Sequence, residues 1–587
     1  MSKKMKKLCC IGLTAMVACS TIMATGCGGA SGNSGNSDSQ FENRYDDEAK
    51  KEMTQLTVGV YKGGLGYAWA QELAKIFEEK YKDVSFEEGK KGVYVSIQPK
   101  KLEYEATTLI SNMQGGVENA DVYIVSGNTM KEYLEGDVAL NITSALTENA
   151  YDENGEVTFT VDANGKAISN GTQSILDRID PYFADAYNYG TDTAPTYYHL
   201  PYEWGIRGFV YDHDLFEEEG WLTYSGYDGV PKTTTEFLDL LGKIEKAGYY
   251  GYTMSPNDAG FYTHDYGYAF LAQYEGEDEA LLNLTYDGVA TFAANTFDAA
   301  TVAAEGINVA TDGTQSVTIT EANAWLLSQQ TGKKEYVNFL RQVINSKYFD
   351  PNVIGQTQSF TEAQKSFILS CTTGTRIAML FDGEWWENEA KTQFESMGKR
   401  NPAYGYGKRD FRFMPVPQAA GGVNEKQSFA ITGAGPCFVN KKTQHADLAT
   451  KWVQMVYSVT GCKTVLKNTG MTLPMDFTMS QEELNGITPF ARSTYNIKKS
   501  DDIKVYTVST EQKGVNAFAL NGEMVMTGYG RNLSAKAPMA NGSEANQNNV
   551  FTYFLDNLSF TADKWMEGSA SLYSKADWTA AYNKYFN

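Results

Sequence analysis

A chain of 587 residues with 42% hydrophobic and 21% charged side chains is too long for one compact core, which favours two large domains. Its 50 Lys and Arg against 72 Asp and Glu give −22, or −26 without Lys3, Lys4, Lys6 and Lys7; so acidic a surface excludes nucleic-acid backbones as partners. The 38 Tyr, 29 Phe and 9 Trp exceed what a core of this size requires.

The chain begins with a basic head, then an apolar run from Leu8 to about Met23, short for a membrane span and flanked like a secretory signal. It ends in Ala24-Thr25-Gly26-Cys27, which resembles a bacterial lipobox, in which the cysteine is lipidated and becomes the new N-terminus. On this reading residues 1–26 are a signal peptide and Cys27 carries lipid. Gly28–Asp38 has almost no apolar side chain, so 27–55 reads as a flexible tether. The body keeps Cys371, Cys437 and Cys462: one bridge with a spare thiol, or three thiols.

The body opens with an apolar strand, Leu56–Tyr61, then Lys62-Gly-Gly-Leu-Gly66 and a helical pattern over 67–80 that puts Trp69, Leu73, Ile76 and Phe77 on one buried face. Val93–Gln98 alternates as a second strand. A helix around Glu103–Met113 leads to a third strand, Ala120–Val125, ending in Ser126-Gly127-Asn128. Strand–helix alternation of this kind predicts a parallel α/β unit, whose ligand crevice lies at the carboxyl ends of the strands. Residues 151–170 carry two D-x-N-G turns and predict a hairpin insertion. Strands follow at Tyr197–Pro201 and Gly208–Tyr211, then a helix to about Gly248 with a capped start at Pro231–Phe237. Beyond lie a helix near Glu321–Ser346, strands Arg376–Phe381, Arg412–Pro415 and Gly433–Val439, and a helix Ala446–Val459.

Several of these segments in order resemble the solute-binding proteins, carbohydrate type, of ATP-binding-cassette importers. They are Leu56–Lys80, Ala120-Asp121-Val, Leu200–Phe216 (LPYEWGIRGFVYDHDLF), Gly374–Trp386 (GTRIAMLFDGEWW), Met414–Pro417, Gly435–Asn440 and Ala446–Tyr457. The resemblance implies an α/β fold of two lobes, periplasmic-binding-protein-like (type II), joined by hinge crossings. One lobe would comprise 56–205 and 430–470, the other 206–429 and 471–587 with a C-terminal extension. It implies capture of a carbohydrate ligand, an oligosaccharide, between the lobes and delivery to the transmembrane subunits of a permease, by a monomer held to the membrane through its lipid. No cofactor and no metal are implied.

A sugar offers apolar C–H faces and a rim of hydroxyls, so its site needs aromatic plates and bidentate polar groups. Asp382-Gly-Glu384-Trp385 follows a buried strand, and the resemblance places the stacking tryptophan at Trp385. Trp386 has no such match and is read as packing the following helix. Glu203 and Trp204 lie at the lobe crossing, as ligand contacts or as hinge packing. Asp258–Tyr268 is a polar–aromatic cluster offering Tyr262, His264, Asp265 and Tyr266. In the first lobe the candidates are Tyr61, Lys62 and Asn128, at strand ends. The overall charge favours neutral ligands, a preference that local Lys62, Arg207 or Arg376 would reverse.

Other chemistries fit less well. Gly64-x-Gly66 lacks the third glycine of a dinucleotide fingerprint, Trp69 standing there. His199, His213, His264 and His445 show no ligand spacing with cysteine. A glycoside hydrolase needs two carboxylates across the cleft, and Asp382, Glu384 and Glu203 are the residues that would supply them. A tethered sensor or adhesion protein would use the same fold without transport.

Overall fold

The computed structural model describes residues 41–100, 106–125, 130–255, 259–355, 359–509, 514–516, 519 and 575–586. Cys27 and Asn128 therefore lie outside the described residues. Strand β1 (Thr54–Tyr61) and strand β2 (Val93–Lys100) pair in parallel from Thr54 opposite Val93 to Tyr61 opposite Lys100. Helix α1 (Ala68–Tyr81) connects them and buries Trp69, Leu73 and Phe77 along one face. Helix α2 (Ala106–Gln114) leads to β3 (Val122–Ile124), parallel to β1 on its other side. This is the expected α/β unit. The D-x-N-G turn at Asp162 closes a short antiparallel hairpin, β4 (Phe159–Val161) with β5 (Ala167–Ser169); Asp162 Oδ1 accepts from the Asn164 and Lys166 amides at 2.8 Å each.

The two strands expected at 197–201 and 208–211 are one strand, β6 (His199–Asp212). Helix α3 (Thr234–Lys246) follows, its start closed by reciprocal bonds between Thr233 and Glu236. Next come β7 (Tyr250–Met254) and α4 (Ala259–Glu275), the latter a helix that the sequence pattern does not announce. A separate antiparallel sheet is formed by β8 (Gly288–Phe292), β9 (Asn308–Val309) and β10 (Gln315–Ile319). Helix α5 (Thr331–Val343) and helix α6 (Phe360–Ser370) precede β11 (Ile377–Gly383), buried along its whole length. After β12 (Phe411–Phe413), β13 (Gln427–Val439) and α7 (Ala446–Val456), the chain reaches α8 (Val459–Thr469), α9 (Pro489–Lys499) and β14 (Ile503–Val508).

The main sheet runs β2-β1-β3-β13-β6-β11-β7, with β12 added on β6 and β14 on β13. Two long strands hold it together. The first part of β6 pairs with β13, from His199 opposite Phe438 to Trp204 opposite Gly433. Its second part pairs with β11, from Arg207 opposite Gly383 to Tyr211 opposite Met379. The backbone thus changes partner across Gly205 and Ile206. Likewise β13 serves β3 through Cys437–Val439 and β14 through Gln427–Thr432. At Gly435 the backbone has φ +70, a conformation that L side chains rarely adopt, and an added Cβ would stand 3.1 Å from the Val125 carbonyl.

Among the described residues many of the aromatic side chains lie in the core. Tyr202, Phe209, Tyr211, Tyr252, Tyr268, Phe270, Phe381 and Trp386 are all buried. Trp69 stacks on Tyr202 at 5.3 Å, as its helical face predicts. Trp386 lies among Phe367, Phe394, Phe411 and Phe490. In the C-terminal region Trp578, on helix α10 (Lys575–Phe586), is buried edge-on against Tyr286 and donates through Nε1 to the Glu321 carbonyl at 2.6 Å. Cys371, Cys437 and Cys462 are free thiols, pushed up to about 12 by burial. Among the described residues no helix is long and apolar enough to cross a membrane.

Candidate functional site

The carboxyl end of β11 delivers Trp385. Its indole lies flat against Gly383, where any Cβ would come within 2.2 Å of the ring. A glycine at that point is what allows the ring to fold back. Trp385 is half-buried and packs against both of the large apolar clusters, so it stands at their junction. The Arg207 guanidinium sits 5.1 Å from the ring centroid, a cation–π contact.

Arg207 is itself fixed by Asp265 on α4, in a buried ion pair. Asp265 also accepts from Thr432 Oγ1 at 2.5 Å. Trp385, Arg207, Asp265 and Thr432 therefore form one continuous wall contributed by β11, β6, α4 and β13.

Glu384 is fully buried beside this wall. Its Oε2 accepts from the Ile206 amide at 2.9 Å and meets Lys498 Nζ at 2.8 Å. Its own amide donates to the Ile206 carbonyl at 2.9 Å. The expected ligand carboxylate thus clamps the point where β6 changes partner. Trp204 belongs to the same knot: its Nε1 donates to Thr507 Oγ1 at 3.4 Å, its ring stands edge-on to Phe183, and Lys498 Nζ lies 5.0 Å from its centroid. Of the two readings of Trp204, this geometry matches hinge packing. Glu203 is half-buried, with its Cγ near Gly435.

Asp382 is buried. Its Oδ1 accepts from the Gly383 amide at 2.7 Å, and its Oδ2 from Gln364 Nε2 at 3.1 Å. The same Gln364 nitrogen reaches Glu389 Oε2 at 2.8 Å. Tyr266 is enclosed edge-on by Phe209 and Phe381, and burial pushes its phenol well up. That ring is core, because α4 turns it toward β6 and β11. Tyr262 and His264 lie within α4, where only their backbone is described.

The loop after β1 faces this segment. Tyr61 is half-buried, with its ring over Gly63, while Lys62 is exposed, its Nζ 5.9 Å from the Tyr67 ring. Asn388 Nδ2 donates to the Gly64 carbonyl at 2.7 Å, so the loop after β1 touches the turn after β11. Arg376 is spent on Asp212, which also holds Arg409 at 2.7 Å. Trp385 and Asp265, both named from the sequence, lie on this wall. Sequence reasoning gave Arg207 only as a charge and passed over Gln364 and Lys498, because partners 18 or 114 positions away leave no local pattern.

A family model described as bacterial extracellular solute-binding protein matches residues 66–461. No curated protein matches the sequence. Among solved structures, one reported under xylan utilization by Caldanaerobius polysaccharolyticus has a TM-score of 0.50 at 12% identity, covering 88% of this chain and 98% of that one. RafE in complex with raffinose gives 0.49 at 13% identity, with 89% and 99% covered. A chitin oligosaccharide binding protein gives 0.48 at 14% identity, with 90% and 99% covered.

Proposed function

Since the chain belongs to the bacterial extracellular solute-binding proteins, the family model spanning residues 66–461, we propose that it captures a carbohydrate, an oligosaccharide, against Trp385 and hands it to an ABC permease. The observation that carries this reading is the placement of Trp385. It is the half-buried indole at the junction of the two clusters, held from behind by Gly383 and Arg207. A fixed aromatic plate can accept a sugar face, and Asp265 and Arg207 lie beside it as hydrogen-bonding groups.

The two lobes are 56–205 with 430–470, and 206–429 with 471–587. Trp385, Arg207 and Asp265 line the cleft from the second, Tyr61 and Lys62 from the first, with Asn128 and Tyr262 as further contacts. Glu203 lies at the crossing. The reading is binding without hydrolysis. Glu384 is paired with Lys498 and Asp382 is enclosed by Gln364 and the Gly383 amide, which argues against these two acting as a hydrolytic carboxylate pair. Cys27 carries the lipid that keeps the protein at the outer face of the membrane, as a monomer.

A thermal-shift panel of raffinose, maltotriose, xylotriose and chitotriose tests the capture. A sugar present at one hundred times its dissociation constant stabilises the folded form by about 2.7 kcal/mol and raises the melting temperature. Trp385→Ala should remove that shift while leaving the unliganded melting temperature within a few degrees. A shift that survives Trp385→Ala rules out the site; release of smaller sugars from the panel rules out pure binding. Cys27→Ala should move the protein from the membrane fraction to the soluble one.

A further inference from the structure

Lys498 stands in a part of the chain beyond the family match, which ends at 461. It projects from the last turn of α9, and its side chain is only 3% exposed. The ammonium is nevertheless saturated with partners from three separate segments. Nζ lies 2.8 and 3.1 Å from the two Glu384 oxygens, 2.7 Å from Thr472 Oγ1 and 2.6 Å from the Trp204 carbonyl. An ammonium has three protons, and these partners use all of them.

The partners are not scattered. Trp204 is the last residue of β6 paired with β13, and Arg207 the first paired with β11. Between them, Ile206 is bonded through both its amide and its carbonyl to Glu384. Glu384 in turn is covalently followed by Trp385. Lys498 therefore grips the crossing strand on one side and the base of the indole on the other. A buried carboxylate without its cation would retreat toward water or take up a proton, and either would move the backbone that carries Trp385.

We propose that Lys498 is a positioning residue for the sugar site: through Glu384 it sets the pose of Trp385 over Arg207 and fixes the strand about which the lobes turn. The C-terminal extension is on this account part of the binding apparatus. The proposal rests on the sugar-capture reading for its purpose, but its first test needs no sugar.

The readout is the fluorescence contributed by Trp385, obtained as the difference between each protein and its Trp385→Phe counterpart, with acrylamide quenching. Lys498→Met should shift the emission of that difference and raise its quenching constant at least twofold. Because a lone buried Glu384 could prevent folding, Lys498→Met/Glu384→Gln is measured in parallel; it removes both charges yet keeps an acceptor for the Ile206 amide. It should fold, with a melting temperature above that of Lys498→Met, and still show the loosened Trp385 signal. A Trp385 signal identical to wild type in the double variant would overturn the proposal, leaving Lys498 a purely structural lysine. If the wild-type protein binds none of raffinose, maltotriose, xylotriose or chitotriose while the signal moves as expected, the sugar reading fails and the positioning holds. If a sugar is bound, its affinity should fall at least tenfold in the double variant.

Discussion

Two buried groups beyond the proposed binding wall set how stability responds to pH. Glu387 is buried beside Trp386; Thr488 Oγ1 donates to one of its oxygens at 2.6 Å, and burial pushes it up to about 7 from 4.5. The protonated carboxyl therefore favours the folded state fully below pH 4.5, and that contribution is lost as pH rises toward 7. His199 acts in the opposite sense. It is enclosed by Tyr187 and Tyr189, and burial holds it down to about 3 from 6.5. Its neutral form favours folding above pH 6.5, and that contribution disappears as pH falls toward 3. In urea unfolding, the stability of Glu387→Gln relative to wild type should rise by ~1.4 kcal/mol for each pH unit between those of its unfolded and folded states. His199→Phe should gain on wild type as pH falls, by a similar slope. A relative stability constant with pH would contradict either assignment. Both residues were legible as letters only, since burial decides their chemistry and burial of a single His or Glu has no pattern. Trp385 could be singled out because it follows a buried strand and the resemblance aligns it with a stacking tryptophan. Tyr266 was misread because the Asp258–Tyr268 cluster looks polar until α4 turns one side of it into the core.

Among the elements, the strands β1, β2, β3 and β11 and the helices α1 and α3 could be read to within a few residues from their apolar patterns, but β13 begins at Gln427, six residues before the apolar run at Gly433, and the helix read near Glu321–Ser346 is a short 3-10 turn over Ala324–Gln329 followed by α5. Strand β6 was read as two pieces because Glu203, Gly205 and Arg207 interrupt its apolar run. It is continuous because the two halves have different partners, β13 and β11, and only the tertiary pairing spans the gap. Helix α4 escaped notice because its aromatic and small residues lie all around the axis, as suits a helix buried among α5, β13 and β6. The close approach at the end of β11 is the element on which the site turns. Gly383→Ala should drive the indole off its seat, since the methyl would overlap the ring at 2.2 Å. The expected result is loss of any sugar-induced melting shift with a stability cost of about 1–3 kcal/mol, as for overpacking. Trp386→Ala, by contrast, empties a fully buried site between Phe394, Phe411 and Phe490 and should cost ~3–5 kcal/mol. Guanidinium unfolding of the two variants separates a site effect from a core effect.

At the scale of the whole molecule, one sheet runs through β6 and β13, so on the capture reading closure would be a rotation about these two strands rather than the docking of independent bodies. Small-angle scattering should show the radius of gyration decreasing when a bound sugar from the panel saturates the wild type, and no decrease for Trp385→Ala. The resemblance made this architecture legible, since five or more short segments in order specify two lobes where each alone specifies nothing. The C-terminal extension was opaque: β14 contributes a strand to the main sheet through a register with Gln427–Thr432 that no local signal encodes. The order of strands has a further consequence for folding. Strand β3 finds its neighbour β13 more than 300 residues later, and Glu384 finds Lys498 later still. The strand that seals β3 and the lysine that holds Glu384 both come late in the chain. A chain made from its amino end therefore holds its first three strands unsealed along one edge until the late segments arrive, and in that interval it is most open to proteases and to folding helpers.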